Sequence, residues 1–183
     1  MNLFLSFIRW LVMLPFSLIV LIVSIFLAPV LPVFASKDGW LPKWLWWFQT
    51  PDNSLDGDNG FIFIHAPFKG EDLSYIKKYV NRTFWLWRNP SYGFDWGVLA
   101  FQPESGHIVK RLYGTKPIAG THFVSGYFFA TITNPDGKMA WQFYVIHNWS
   151  ASRHAKINLG WKLWSAPDLC QYVVSPHGIW RKT

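Results

Sequence analysis

The feature that most limits what this chain can become is its beginning, FIRWLVMLPFSLIVLIVSIFLAPVLPVFA, in which Arg9 is the only formal charge and no side chain from Trp10 to Ala35 ionises. A helix of roughly 20 apolar residues matches the hydrocarbon thickness of a bilayer. Residues 1–35 therefore read as an N-terminal transmembrane anchor, with the span expected over about Leu11 to Val30. Pro15 is tolerable inside a membrane helix, whereas Pro29 and Pro32 should end it. A cleaved signal peptide is the alternative, because Val33-Phe34-Ala35 before Ser36 fits a signal-peptidase site. Length favours a retained anchor, since signal-peptide cores run to about 7–15 residues and Trp10 to Ala28 is longer. Arg9 on one side and Lys37 and Lys43 on the other give little charge asymmetry. A signal-like start places the N-terminus inside and the domain outside.

The rest of the 183 residues suffices for one compact domain. The chain is 20% aromatic, with 13 Trp, and only 15% charged, so part of its aromatic surface is expected at an interface with lipid or protein. A net charge of +7 favours an anionic partner, and the membrane segment makes lipid headgroups the nearest one. No Lys/Arg run or nucleic-acid motif appears, which argues against nucleic acid as a partner. Cys170 is the single cysteine and excludes an internal disulfide.

Residues 36–60 form a second region. Trp40, Trp44, Trp46, Trp47 and Phe48 crowd around Lys43, and such a collar beside a span reads as a segment lying at headgroup level with Lys43 reaching outward. The competing reading puts these tryptophans in the domain core. Next comes TPDNSLDGDNG, where Asp52, Ser54 and Asp56 before Gly57 match the opening of a calcium loop, with Asp58 as a further candidate ligand. The match then fails, because Phe63 stands where a bidentate Glu is needed. A turn with side-chain caps explains the same residues, and neither a metal nor an organic cofactor is expected.

Residues 61–183 read as a β-rich domain with one helix. Phe61–Phe68 alternates like a strand. Asp72 can cap a helix over about residues 73–88, with Leu73, Ile76, Val80, Phe84 and Trp87 as its core stripe and Lys77, Lys78 and Arg82 on a solvated face. Strands are expected over Trp96–Gln102, His107–Tyr113, His122–Thr133, Met139–Asn148, Ala155–Trp164 and Gln171–Val174. Asn134-Pro135-Asp136-Gly137 marks a hairpin turn between Phe123–Ile132 and Met139–Ile146. In the next strand Ile157, Leu159, Trp161 and Leu163 share one face, opposite Lys156, Asn158 and Lys162. Short turns imply an antiparallel meander, so the expected fold is α+β: a transmembrane helix, then a small antiparallel β-meander domain with one packed amphipathic helix.

Catalytic chemistry has little to draw on. Beyond the helix the carboxylates are Asp95, Glu104, Asp136 and Asp168, widely scattered, and Asp136 is committed to a turn. No nucleophile elbow, Walker loop, dinucleotide Gly motif or H-E-x-x-H is present. His65, His107, His122, His147, His154 and His177 lack metal-ligand spacing within a helix, although His147 and His154 could meet across a strand connection. Cys170 reads as a buried thiol and not as a nucleophile.

Three phrases, LPKWLWWFQTPDNSLDGD, WLWRNPSYGF and NLGWKLW, together make the chain from Leu41 to Trp164 resemble a family of small membrane-associated proteins encoded by tailed bacteriophages and prophages. The resemblance implies an origin and a layout, and supplies no catalytic residues. The function expected is a non-enzymatic, single-span binding module in the host inner membrane, its domain on the periplasmic side, with a host or phage protein as partner. A virion component with a membrane-active N-terminus is the alternative, and an envelope hydrolase the third.

Overall fold

A computed structural model describes residues 2–70, 72–114, 125–150, 153–163 and 169–177. His122, Trp164 and Asp168, named above, lie outside the described residues, as do Phe123 and the rest of the expected start of its strand. The architecture is α+β: an N-terminal apolar helix, further helices, and an antiparallel sheet. Contacts divide the chain into two compact units, a sheet unit of Met1–Leu14 with Leu99–Thr183 and a helical unit of Pro15–Val98. Residues 73–88, expected as a helix, fall in the helical unit together with the aromatic and acidic segments.

Helix α1 runs Leu3–Leu27, with Pro15 inside it. It starts earlier than Leu11 because Asn2 caps it, accepting the Leu5 N–H on Oδ1 at 3.0 Å. Arg9 falls inside the helix, its guanidinium carbon 5.6 Å from the Trp161 ring centroid and 6.0 Å from that of Phe101. Pro29 stops α1, and a 3₁₀ turn at Leu31–Phe34 follows.

In the sheet unit, strands β1 (Ile108–Gly114), β2 (Gly126–Thr133), β3 (Met139–Ser150), β4 (Arg153–Trp161) and β5 (Tyr172–His177) pair in sequence order. All four pairings are antiparallel, giving the expected meander. The hairpin register Thr133↔Met139 is set by the Asn134–Lys138 turn, closed by the Asn134 N–H on the Lys138 carbonyl at 2.8 Å. The expected strand at Trp96–Gln102 is different: helix α3 (Tyr92–Gly97) takes its start, and only Phe101 pairs, with Cys170.

One face of the sheet receives the first turns of α1. Trp10 lies 5.4 Å from Trp141 and 6.0 Å from Tyr172 between ring centroids, and Trp141 meets Trp161 edge to face. Three polar tips are satisfied: Trp161 Nε1 donates to the Leu99 carbonyl at 3.0 Å, Tyr172 OH to the Trp10 carbonyl at 2.9 Å, and Ser6 Oγ to the Met139 carbonyl at 2.7 Å, whereas the buried Trp141 Nε1 has no hydrogen-bond partner among the described residues. The other face buries Phe128, Ala130, Tyr144 and Ile146. It also buries Gln142 and Asn158, whose amides bond at 2.8 Å, while Gln142 Oε1 accepts the Leu163 N–H at 2.8 Å. Within β4 the expected sharing of faces holds for Ile157, Leu159 and Trp161 opposite Lys156 and Asn158, while Leu163, past the strand's end, packs on the Phe128 and Tyr144 side; Asn158 is buried because a cross-strand amide partner removes the cost of burying it.

Helical-unit elements depart further from expectation. Phe61–His65 is a single π-helical turn and not a strand. Asp58 starts it by accepting the Phe61 N–H on Oδ1 at 2.7 Å, and Phe61 then buries against Trp85. Helix α2 spans Tyr75–Arg88 and begins after Ser74 without a side-chain cap, so Asp72 does not serve as one. Its buried face carries Asn81, Arg82, Trp85 and Leu86, whereas Ile76, Phe84 and Trp87 of the expected core stripe are exposed. The helix is thus turned away from its apolar stripe because its inward polar groups are bonded. Asn81 bonds both the N–H and the carbonyl of Phe68, at 3.0 and 2.9 Å, and Arg82 is held by four hydrogen bonds.

Candidate functional site

Around an apolar interior, the two long helices of the helical unit bury polar side chains and leave apolar ones open. On the second half of α1, Ser17 and Ser24 are buried, with Ser17 Oγ donating to Asp95 Oδ1 at 2.9 Å and Ser24 Oγ to the Val20 carbonyl at 2.6 Å. Phe16, Ile19, Ile22 and Phe26 are exposed on the same helix. On α2, Asn81 and Arg82 are inside while Ile76 is 73% exposed. Trp87 Nε1 donates to the Ile25 carbonyl at 3.0 Å, so the open apolar faces of the two helices adjoin. A water-facing helix shows the opposite pattern, and a contiguous exposed apolar surface of this kind marks contact with lipid or protein. By length and composition α1 is the one helix among the described residues that could cross a membrane.

The aromatic collar forms a 3₁₀ turn over Lys43–Phe48 in which only Leu45 is buried. Trp44 is 70% exposed, Trp40, Trp46 and Trp47 are also exposed, Lys43 faces outward, and Phe48 is half-buried. The rings make partial contacts, Trp44 with Phe34 at 5.7 Å and Trp47 with Phe94 at 5.1 Å. The interior of this unit is built instead from Leu45, Leu55, Phe61, Trp85 and Leu86.

The acidic loop gives its side chains separate tasks. Asp56 pairs with Arg82 through two bonds, 2.7 Å to Nε and 3.1 Å to Nη2. Asp58 caps the π-helical turn, and Ser54 Oγ accepts the Asp56 N–H at 3.3 Å. The charge of Asp52 adds to burial in raising the Tyr92 phenol above its usual range, burial being the larger cause. Among the described residues no three His, Cys, Asp or Glu side chains converge on a possible metal position. Arg82 is therefore not on a solvated face: the residue is 7% exposed, and its guanidinium also donates to the carbonyls of Ser36 at 3.3 Å and Lys37 at 2.9 Å. No local sequence pattern signals this tie, because Asp56 lies 26 residues from Arg82.

Elsewhere the reactive side chains are dispersed. His147 pairs with Ala155 and His154 with Asn148, so the two histidines lie on opposite faces of the sheet and do not meet. His107 bonds the Glu104 carbonyl at 2.8 Å. Asp136 sits in its turn with Lys138 at 2.8 Å, and that hydrogen bond holds its carboxyl below the usual range. Burial pushes the Cys170 thiol up to about 11, which leaves it protonated at neutral pH.

Residues 1–175 match the family of unknown function DUF7338, and the chain belongs to that family. Comparison with curated proteins gave no match, and comparison with solved structures gave none.

Proposed function

We propose that this DUF7338 protein is a non-enzymatic binding module attached to a membrane through the open apolar faces of α1 and α2, with α1 as its single membrane segment. The observation that carries this reading is the reversed polarity of these two helices, where bonded Ser17, Ser24, Asn81 and Arg82 face inward and Ile19, Phe26, Ile76 and Phe84 face outward. Burying that apolar surface in lipid stabilises attachment by about 25 cal/mol per Å². The exposed tryptophans and Lys43 of the collar suit headgroup depth, where an apolar ring and a polar N–H are both accommodated. A partner at the host envelope and a tailed-phage or prophage origin belong to the same proposal, supported by the three sequence phrases that suggested them.

The test is fractionation of producing cells followed by a carbonate wash. The full-length chain is expected to stay with the membrane, and intact mass is expected to show residues 1–35 retained. Release by carbonate, or a mature chain beginning at Ser36, would overturn the proposal.

A further inference from the structure

Within the helical unit a cavity of about 420 Å³ opens between the start of α2 and the turn that follows α1. On α2 it is lined by Tyr75, Lys78, Tyr79 and Arg82, whose spacing puts them on one face of the helix. Pro32, Ser36 and Lys37 line the facing side. Arg82 is not a free cation here: Asp56 neutralises it, and its bonds to the Ser36 and Lys37 carbonyls fix the turn that carries Lys37. The ammonium groups of Lys37 and Lys78 have no ion-pair or hydrogen-bond partner among the described residues. The cavity thus brings two unpaired positive charges onto a backbone already held in place, beside the exposed Tyr75 ring and with no carboxylate in its lining.

We infer that this cavity binds the phosphate group of an anionic membrane-lipid headgroup, with Lys37 and Lys78 as its charge partners. The inference rests on the membrane attachment proposed above, because Pro32–Lys37 follow α1 directly and on that reading lie at headgroup depth. A cavity of this size admits a headgroup. Two ammonium donors suit a phosphate as point charges, and a basic pocket beside a membrane helix is where lipid phosphates are held.

The experiment uses the full chain in a neutral detergent. Native mass spectrometry reads bound lipid after addition of equal amounts of phosphatidylglycerol and phosphatidylcholine. The wild type is expected to retain phosphatidylglycerol preferentially, and Lys37→Gln with Lys78→Gln is expected to lower that retention about tenfold. Lys77→Gln, whose ammonium lies over the Phe68 ring, is expected to leave it unchanged. The singly substituted Lys78→Gln gives the same reading, at smaller amplitude, should the double variant not fold. Equal retention of the two lipids by the wild type, or equal loss in Lys77→Gln, would overturn the site. Displacement of the lipid by millimolar inorganic phosphate would overturn a lipid as its source. Failure of the attachment itself is read separately, by carbonate release of the wild type, since headgroup preference in detergent does not depend on that result.

Discussion

The tryptophans of the sheet unit and those of the helical unit's collar are the same side chain put to opposite ends. Trp161 is fully buried, and Trp10 and Trp141 nearly so, whereas Trp44 keeps 70% of its surface exposed. In the sheet the tryptophans sit on different elements, α1, β3 and β4, and each meets its neighbours across a strand pairing or a helix–sheet contact. Trp44, Trp46 and Trp47 are crowded into one 3₁₀ turn, whose geometry fans neighbouring side chains outward, so only Leu45 points in. Aromatic content alone therefore does not build a core. Spreading the rings over elements that close on one another does.

The sharpest way to break this comparison is Trp161→Ala against Trp44→Ala, with thermal or denaturant unfolding of the full chain as the readout. Removing Trp161 is expected to cost about 3–5 kcal/mol, because it deletes a fully buried indole and leaves the Leu99 carbonyl unpaired. Trp44→Ala should change stability by less than about 0.5 kcal/mol and instead weaken binding to lipid vesicles. Equal destabilisation would return the collar to the core.

A smaller effect is expected at Gly160, opposite Gln142 in the β3–β4 pairing. Its φ of +102° is strained for any L side chain, and a Cβ there would stand 2.1 Å from the Trp141 carbonyl oxygen. Gly160→Ala should cost about 1–3 kcal/mol by the same unfolding measurement and disturb the packing of Trp141 and Trp161. A neutral result would show that the cluster tolerates displacement of β4.

For the helical unit, Asp56→Asn should cost about 1–2 kcal/mol, less than a fully buried pair because Asp56 is itself half-exposed. Calcium should leave the melting midpoint of the wild type unchanged, since Asp56 and Asp58 already serve Arg82 and the Phe61 N–H. A calcium-dependent rise abolished by Asp56→Asn would reverse that assignment. In the same loop Gly57→Ala should destabilise, φ being +84° with the Phe61 ring 2.6 Å from the added Cβ, while Gly60→Ala at φ −63° should be tolerated.

The last effect, confined to alkaline pH, belongs to Cys170 in the sheet unit. Its thiol is neutral when protonated and its folded value of about 11 stands above the ordinary 9.0, so the folded state holds the proton more tightly. That contribution is complete below pH 9 and is lost as pH rises to about 11. Unfolding free energy measured across this window should fall more steeply for the wild type than for Cys170→Ala. Thiol alkylation at neutral pH should be negligible until the chain unfolds.

The order of strands was legible in the sequence, because Asn134-Pro135-Asp136-Gly137 and the alternating runs around it act locally, through turn chemistry and a period of two. The apolar helix was legible for the same reason: uninterrupted hydrophobicity needs no partner to be read. Which face of a strand or helix turns inward was not. Periodicity placed Ile76 and Phe84 inside and Arg82 outside, and the structure reverses all three; the same periodicity separated Ile157 from Asn158 without saying that Asn158 would be the buried one. A buried polar group costs free energy only until it meets its partner. Gln142 for Asn158, and Asp56 for Arg82, are supplied by segments 16 and 26 residues away. The sequence by itself determined the antiparallel meander and that one helix suits a membrane, but not the π-helical turn at Phe61–His65 or the helix at Tyr92–Gly97. Only the tertiary structure decided which side of each element is covered, because burial depends on hydrogen-bond partners that no local pattern encodes.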